Sequence, residues 1–561
     1  MKHQLLFGLL FATIASTAQV TSEGIPHSWK LAQKSSTKAV ILPSPNLEQI
    51  KMEDRESHTD LRKSLRVGKE IEVTMNLFNS GTWKTFNNGD RIWSLHVKAE
   101  GAKFLRAIFD LYSLPKGAEL YLFNNDRTDK IGPYTSKQNQ DDGILGSWLI
   151  NGDDLWLEYY EPSAVKGLGR LSIASFTYGY VNLNPEGDSI AKLNESAACN
   201  VDVLCNPNFG NTGSKDWATA RDNYKNSVAR ILIPTSQGTF LCTGSMINNV
   251  AQDATPYFLT ANHCLGNTTD GAGSSFNASA WSFGFQWFTK TPDCATFAAT
   301  TGPQNPSRVL SGAQLRANND DSDFALFLLS EIPPREWDIY YAGWNRSTIP
   351  ATEQFGIHHP SGDIMKIARN DQTTTVSVIG FNGNPATQMW RIADWDYGVT
   401  EGGSSGSLLL NQNEQIVGQL AGGQAACNGT TDNNLFDVYG RFDVSWNSGF
   451  NSASRLRDWL DPSNTGATSL DGAFYKTLST EAVSPDTFDI KIYPNPSNGR
   501  YTIESDLPVA YQVYNLNGQL ILKGATGIAE NQLDLTAVAN GLYFVKFAVG
   551  DQMLTRKLVK Q

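Results

Sequence analysis

The chain has 561 residues, too many for one hydrophobic core, so roughly two to four domains are expected. With 40% hydrophobic and 11% aromatic residues it is globular and β-rich, which excludes global disorder. A net charge of −11 argues against nucleic acid, which selects basic surfaces, and otherwise speaks only to solubility.

In chain order, residues 1–18 read as a secretory signal peptide: Lys2, an apolar run from Leu5 to Ile14, then small residues ending at Ala18. The run is shorter than the roughly 18–20 residues of a membrane span. No later segment is long and apolar enough to span either, so a soluble, secreted protein is expected. Residues 19–65 are polar and mixed in charge and read as a poorly ordered leader. From about 67 to 182, short strand-like runs such as "EIEVTMNLF", "RIWSLHVKA" and "GRLSIASFTYGYV" recur between polar turns, the pattern of a β-sandwich. His96 stands alone on one of these strands and is expected to be structural. A small, polar stretch at 183–198 marks a boundary.

All six cysteines, Cys199, Cys205, Cys242, Cys264, Cys294 and Cys427, lie in the region that follows. An even number in an exported chain favours disulfides, and no C-x-x-C spacing suggests zinc. This region runs to about 472 as a series of β-rich segments. It ends in "SASRLRDWLDP", where Leu456, Trp459 and Leu460 have helical spacing, Ser452 or Ser454 could cap and Pro462 follows. After a linker at 475–487, residues 488–561 alternate apolar and polar, with a hairpin turn at "NLNGQ", and predict a small, separate antiparallel domain.

The chemistry is concentrated in three places. Of seven histidines, His263, His358 and His359 fall in the cysteine-bearing domain. His263, in "FLTANHC", stands at the end of an apolar strand, and a Cys242–Cys264 bridge would hold it still, as a general base requires. Asp323, in "NNDDSDFALFLL", directly precedes a buried-strand run. A carboxylate at a core edge needs a hydrogen-bonding partner, and an imidazole N–H is one. The neighbouring Asp320 and Asp321 read instead as a solvated or calcium-binding loop. In "EGGSSGSLLL", Gly402, Gly403 and Gly406 permit tight backbone, and the apolar run after them argues against a linker. Ser405 is the expected nucleophile, with the amides of Gly403 and Ser405 as an oxyanion hole. The order His, Asp, Ser, and a loop that lacks the last glycine of a G-x-S-x-G elbow, favour a two-barrel serine endopeptidase over the other arrangements of this triad.

Over about 199–472, "FLTANHC", "SDFALFLLSE", "GVTEGGSSGS", "AGWNR", "IHHPSGD" and "SASRLRDWLDPSNTG" together resemble the bacterial lysyl endopeptidases, which are trypsin-like. The resemblance implies an all-β, chymotrypsin-like double barrel with a C-terminal helix. It also implies disulfides Cys199–Cys427, Cys205–Cys294 and Cys242–Cys264, and cleavage after lysine. It places a specificity carboxylate at Asp437, with Leu420, Ala421 and Gly422 lining the pocket. Ala421 replaces a family histidine, the family's tryptophan falls near Phe381, and Ser404 stands where trypsins hold the aspartate that binds a freed N-terminus. His358 and His359 match a family "HHP" segment and are assigned to packing. The region before Cys199 resembles the family's precursor segment, so residues 19–192 are expected to be a propeptide released by self-cleavage between Lys192 and Leu193, leaving a protease domain at 193–474. "YPNPSNG", "GLYFVKF" and "KLVKQ" resemble the sorting domain of the type IX secretion system.

The expectation is a secreted, free or surface-held serine endopeptidase, monomeric, needing no metal or other cofactor. Its partners would be protein or peptide substrates, its own propeptide and the secretion machinery. The alternatives are the same mechanism with arginine or broader basic preference, and a catalytically degenerate surface-binding protein.

Overall fold

The computed structural model describes residues 24–31, 37–57, 61, 64–181, 183, 196–266, 277–289, 291–294, 298–299, 308–380, 386–475, 490–505, 509–516, 518–527, 531–549 and 552–561. The expectations placed on residues 1–18, Lys192, Leu193 and Phe381 lie outside them, as does most of the linker. Residues 1–475 and 476–561 form two compact units.

In the first unit, one barrel comprises Val228–Thr235, Gly238–Met246, Tyr257–Ala261, Ser282–Phe285, Val309–Ser311, Ala313–Asn319 and Phe324–Leu329. Its strands carry long apolar runs because both faces are covered: Gly238–Met246 is buried at every position except Phe240. Tyr257–Ala261 pairs antiparallel with Phe324–Leu329, Ala261 opposite Phe324. A second sheet runs Val201–Asp202, Lys366–Asn370, Gln354–His358, Leu408–Leu410, Ile416–Gly423, Asp437–Arg441, Thr387–Ile392, Thr375–Ile379 and makes the second barrel. The disulfides are Cys199–Cys427, Cys205–Cys294 and Cys242–Cys264. The expected closing helix is reduced to a 3₁₀ turn, Ser452–Ser454, and one α-turn, Arg457–Leu460. Asn451, rather than a serine, caps the former through the Ala453 N–H. Leu456 and Leu460 are buried as the spacing predicts, but the two pieces are set by barrel contacts.

The N-terminal domain is a sandwich whose two sheets share a core that includes Trp93, Leu95, Phe104 and Phe176. It begins earlier than the sequence indicates. Val40–Ile41 pairs parallel with Arg91–Lys98, and Leu47–Ser57 is a helix, where a poorly ordered leader was expected. Among the described side chains of that helix only Ile50 is deeply buried, so its pattern carried little signal. Tertiary bonds hold it: Arg66 Nε–H donates to Asp54 at 2.8 Å, and Tyr180 Oη–H donates to Asp54 at 2.9 Å. His96 is structural, bonded to Asp154 and stacked on Trp156.

One of the two sandwich sheets and the first barrel form one continuous 12-stranded sheet, joined where Leu65–Asn76 pairs with Gly238–Met246. At their joint Glu70 accepts from Thr177 and Thr239, with Arg106 nearby donating to Ala280 O at 2.9 Å. Farther along, Gln138 Nε2–H donates to Glu331 Oε1 at 2.5 Å. Burial pushes the Glu331 carboxyl up to about 8, and Lys137 offsets this in part. The raised value means that docking is strongest below the ordinary carboxyl range, near 4.5, and weakens as pH climbs towards about 8. We expect thermal stability of the full chain to fall over this window, by up to about 1.4 kcal/mol per pH unit. Glu331→Gln should flatten the slope in melting curves taken across pH; an unchanged slope would remove Glu331 as its source.

The second unit has a three-stranded and a four-stranded antiparallel sheet, the latter running Leu520–Ala525, Ala510–Asn515, Gly541–Val549, Gln552–Lys560. The hairpin turn sits where predicted, with Gly518 at φ +77° donating to Asn515 O at 3.0 Å.

Candidate active site

His263 lies in the 3₁₀ turn Asn262–Leu265, directly after Tyr257–Ala261, and Asp323 directly precedes Phe324–Leu329. Because those strands are paired neighbours, the imidazole and carboxylate meet at adjacent strand ends. His263 Nδ1–H donates to Asp323 Oδ2 at 2.7 Å, and the His263 main-chain N–H donates to Oδ1 at 2.8 Å. The second bond fixes the carboxylate plane and with it the ring orientation. Asp323 sits at φ +54°, a left-handed conformation that costs a non-glycine residue about 1–3 kcal/mol. The turn is secured by Asn262 N–H to Asp323 O at 2.9 Å and Asn262 Nδ2–H to Asp320 Oδ1 at 2.5 Å. Asp320 is exposed, in keeping with the solvated reading, and also accepts this turn-holding bond. Among the described residues, no group of three or more His, Cys, Asp or Glu is placed to hold a metal ion.

Ser405 comes from the other barrel, on the loop before Leu408–Leu410. Its Oγ–H donates to His263 Nε2 at 2.7 Å. The loop is tied to the first barrel by Thr243 N–H to Ser405 O at 2.8 Å and Thr243 Oγ1–H to Gly403 O at 2.9 Å. Gly403 and Gly406 have φ +93° and +81°. A Cβ on Gly406 would stand 2.1 Å from Thr260 Oγ1, and one on Gly403 2.8 Å from His359 O. Glycine is therefore required at both, for backbone and for space. The amides of Ser404, Gly406 and Ser407 donate to Glu401 O, Leu420 O and Ser404 O. Those of Gly403 and Ser405, on either side of the hydroxyl, have no acceptor among the described residues.

Asp437, in Asp437–Arg441, is fully buried and accepts from Trp395 Nε1–H at 2.8 Å and Thr400 Oγ1–H at 2.5 Å. Thr400 precedes the Ser405 loop, and Leu420 N–H to Ser407 O at 2.8 Å joins that loop to Ile416–Gly423. Leu420 packs with Trp395 and Tyr439, Ala421 with Met389 and Val438. Gly422 is followed by Gly423, which pairs directly with Asp437. A Cβ on Gly423 would stand 2.2 Å from Asp437 Oδ1, so the bare backbone leaves room beside the carboxylate. Sequence reasoning missed Gly423, Trp395 and Thr400. The strand alternation around Asp437 could have suggested Gly423; nothing local marks the other two. His358 lies within Gln354–His358, and His359 Nδ1–H donates to Asp363 O at 3.0 Å. Burial pushes the His359 imidazole down to about 3, so it stays neutral.

Residues 193–440 match the family model described as lysyl endopeptidase, C-terminal domain, and residues 40–146 that of the lysyl endopeptidase N-terminal domain. Residues 491–561 match the secretion system C-terminal sorting domain. A lysyl endopeptidase of Pseudomonas aeruginosa is 29% identical over 362 residues, which span 62% of this chain and 72% of that protein. Among solved structures, the Rv3671c protease of M. tuberculosis in its active form is similar at 16% identity, over 43% of this chain and 92% of its own, with a TM-score of 0.27. A serine endoprotease from Yersinia pestis is similar at 11% identity, over 62% and 97%, with a TM-score of 0.27. The double barrel and the matched domains define a serine endopeptidase. Two of its domains, residues 40–146 and 193–440, are similar to those of lysyl endopeptidases, and a sorting domain that directs it out of the cell follows them.

Proposed function

We propose that the protein hydrolyses peptide bonds on the carboxyl side of lysine, through His263, Asp323 and Ser405. The observation that carries this reading is the unbroken relay from Asp323 through His263 to Ser405, two side-chain bonds of 2.7 Å each, beside two amides with no acceptor among the described residues. His263 Nε2 takes the Ser405 proton as Oγ adds to the scissile carbonyl, and Asp323 stabilises the imidazolium that forms. The Gly403 and Ser405 N–H groups receive the oxyanion. His263 then protonates the leaving amine, and water, activated by the same imidazole, releases the acyl group. Asp437 at the base of the pocket receives the substrate ammonium. Trp395 and Thr400 hold its carboxylate in place, and Leu420, Ala421 and Gly422 form the wall.

Residues 19–192 act as the propeptide, the monomeric mature enzyme begins at Leu193 after self-cleavage, and residues 488–561 engage the secretion machinery. The test is mass spectrometry of peptides released from a mixed protein digest by the processed enzyme. Lysine at nearly every new carboxyl terminus is the expected result. Lysine and arginine in equal share would defeat the strict preference, and no cleavage at all would favour a binding protein.

A further inference from the structure

The strand Ile416–Gly423 changes partners along its length. As far as Leu420 it is joined to the Ser405 loop and the strand after it: Leu408–Leu410 pairs with it up to Gln419, and Leu420 N–H donates to Ser407 O at 2.8 Å. At its end Gly423 pairs with Asp437 of the neighbouring strand, but its N–H goes to a segment far away in the chain and donates to Leu61 O at 2.7 Å. The Leu61 side chain packs against a small apolar cluster of Met389, Ala421 and Val438, which Ile379 and Phe436 also border. This cluster stands apart from the core that holds Leu420, Trp395 and Tyr439.

A main-chain donor at a strand end and an apolar seat beside it are the two halves of peptide recognition by strand addition: the backbone bond gives hold, and the seat gives choice. We propose that Ile379, Met389, Ala421, Val438 and Phe436 form a substrate subsite that selects an apolar side chain on the amino side of the scissile lysine. Gly423 N–H donates to that residue's carbonyl oxygen, as it does to that of Leu61 in the full chain. This rests on the proposed lysine-directed mechanism, in which residues 19–192, Leu61 among them, leave on processing.

The chemistry decides which side of the lysine is read. The leaving amine takes its proton from His263, which the first barrel supplies. The acyl part of the substrate is therefore the part that lies along the second-barrel strand ending at Gly423. Because Gly423 pairs with Asp437, a chain that sends its lysine ammonium to Asp437 passes this strand end. The thioether of Met389 is unbranched and adapts to several apolar shapes, so the choice is of an apolar class rather than of one residue.

The test uses the enzyme processed from the full chain. Mass spectrometry of a mixed protein digest should show leucine, isoleucine, methionine and phenylalanine enriched at one position on the amino side of the cut lysines. A peptide amide with leucine at that position should be cut with a kcat/KM about tenfold above that of its asparagine counterpart. Asparagine is the comparison because it is neutral: Arg391 stacks on the Phe436 ring, 4.3 Å from its centroid, and would attract an acid on its own account. Ile379→Ser should bring the ratio down to about threefold or less. Val378→Ser, at an exposed position one place along the same strand, should leave the ratio as in the wild type. Each ratio comes from a single preparation, so an unfolded fraction cancels from it, and the wild-type digest needs no variant at all. A flat profile beside the cut lysines, or a ratio that Ile379→Ser leaves unchanged, would overturn this inference and leave lysine-directed cleavage standing. A digest with no preference for lysine at the cut would remove both.

Discussion

Ser405→Ala is expected to lower kcat on a lysyl amide by roughly 10⁴–10⁶-fold and leave the fold in place. Among the described residues the hydroxyl makes one hydrogen bond, to His263, whereas the bond that ties the loop to the first barrel, from Thr243 N–H, ends on the main-chain oxygen and survives. The melting temperature should accordingly stay within a degree or two, as for other substitutions that neither open a cavity nor strand a buried charge. Asp323→Asn should cost about 10⁴-fold in kcat by a different route. An amide at that position offers an N–H where the His263 ring needs an acceptor, which favours the wrong tautomer and turns Nε2 into a donor towards Ser405. The double variant should be little worse than Ser405→Ala alone, because the residues act as a unit. Steady-state kinetics with active-site titration checks all three. Additive losses would mean that the relay does not work as one device.

Asp437→Asn is expected to cut kcat/KM for lysyl substrates by about 10²–10³-fold, since truncating one partner of a buried charge pair costs about 2–5 kcal/mol. Asparagine keeps the shape, and its oxygen can still accept from Trp395 and Thr400, so those bonds need not break. What disappears is the negative charge. The loss should be confined to cationic substrates, while a neutral, slowly cut ester should change little. That contrast, measured on paired esters, separates a specificity carboxylate from a structural one. Equal losses on both substrates would show that Asp437 holds the fold of the pocket rather than choosing what enters it.

Much of the site was legible because its local contexts are unusual. An acid placed directly before Phe-Ala-Leu-Phe-Leu-Leu, a histidine beside a cysteine at a strand end, and three glycines crowding a serine each violate what ordinary packing prefers. Asp437 emerged through the family resemblance, with strand alternation in support. Its donors did not. Trp395 and Thr400 lie 42 and 37 residues from it in sequence and meet it only through the folded barrel. The helix Leu47–Ser57 was missed for a similar reason: one buried isoleucine gives no amphipathic stripe, and its ion pairs with Arg66 are invisible before the chain folds. The expected C-terminal helix erred the other way. Its spacing is helical, yet barrel contacts break it into a 3₁₀ turn and a single α-turn.

The sequence by itself determined the β-rich class and the separate C-terminal domain, and it singled out the hydroxyl, imidazole and carboxylate that we propose carry the chemistry. These depend on local composition and on chemical types that few other roles tolerate. Only the tertiary structure decided that one sheet of the sandwich runs on into the first barrel, that Gly423 pairs with Asp437, and that Leu65 pairs with Leu241. Strand pairing is a property of two segments brought together from afar: the hydrogen-bonding groups are the same in every residue, so the chain carries no local mark of which edge will receive which strand.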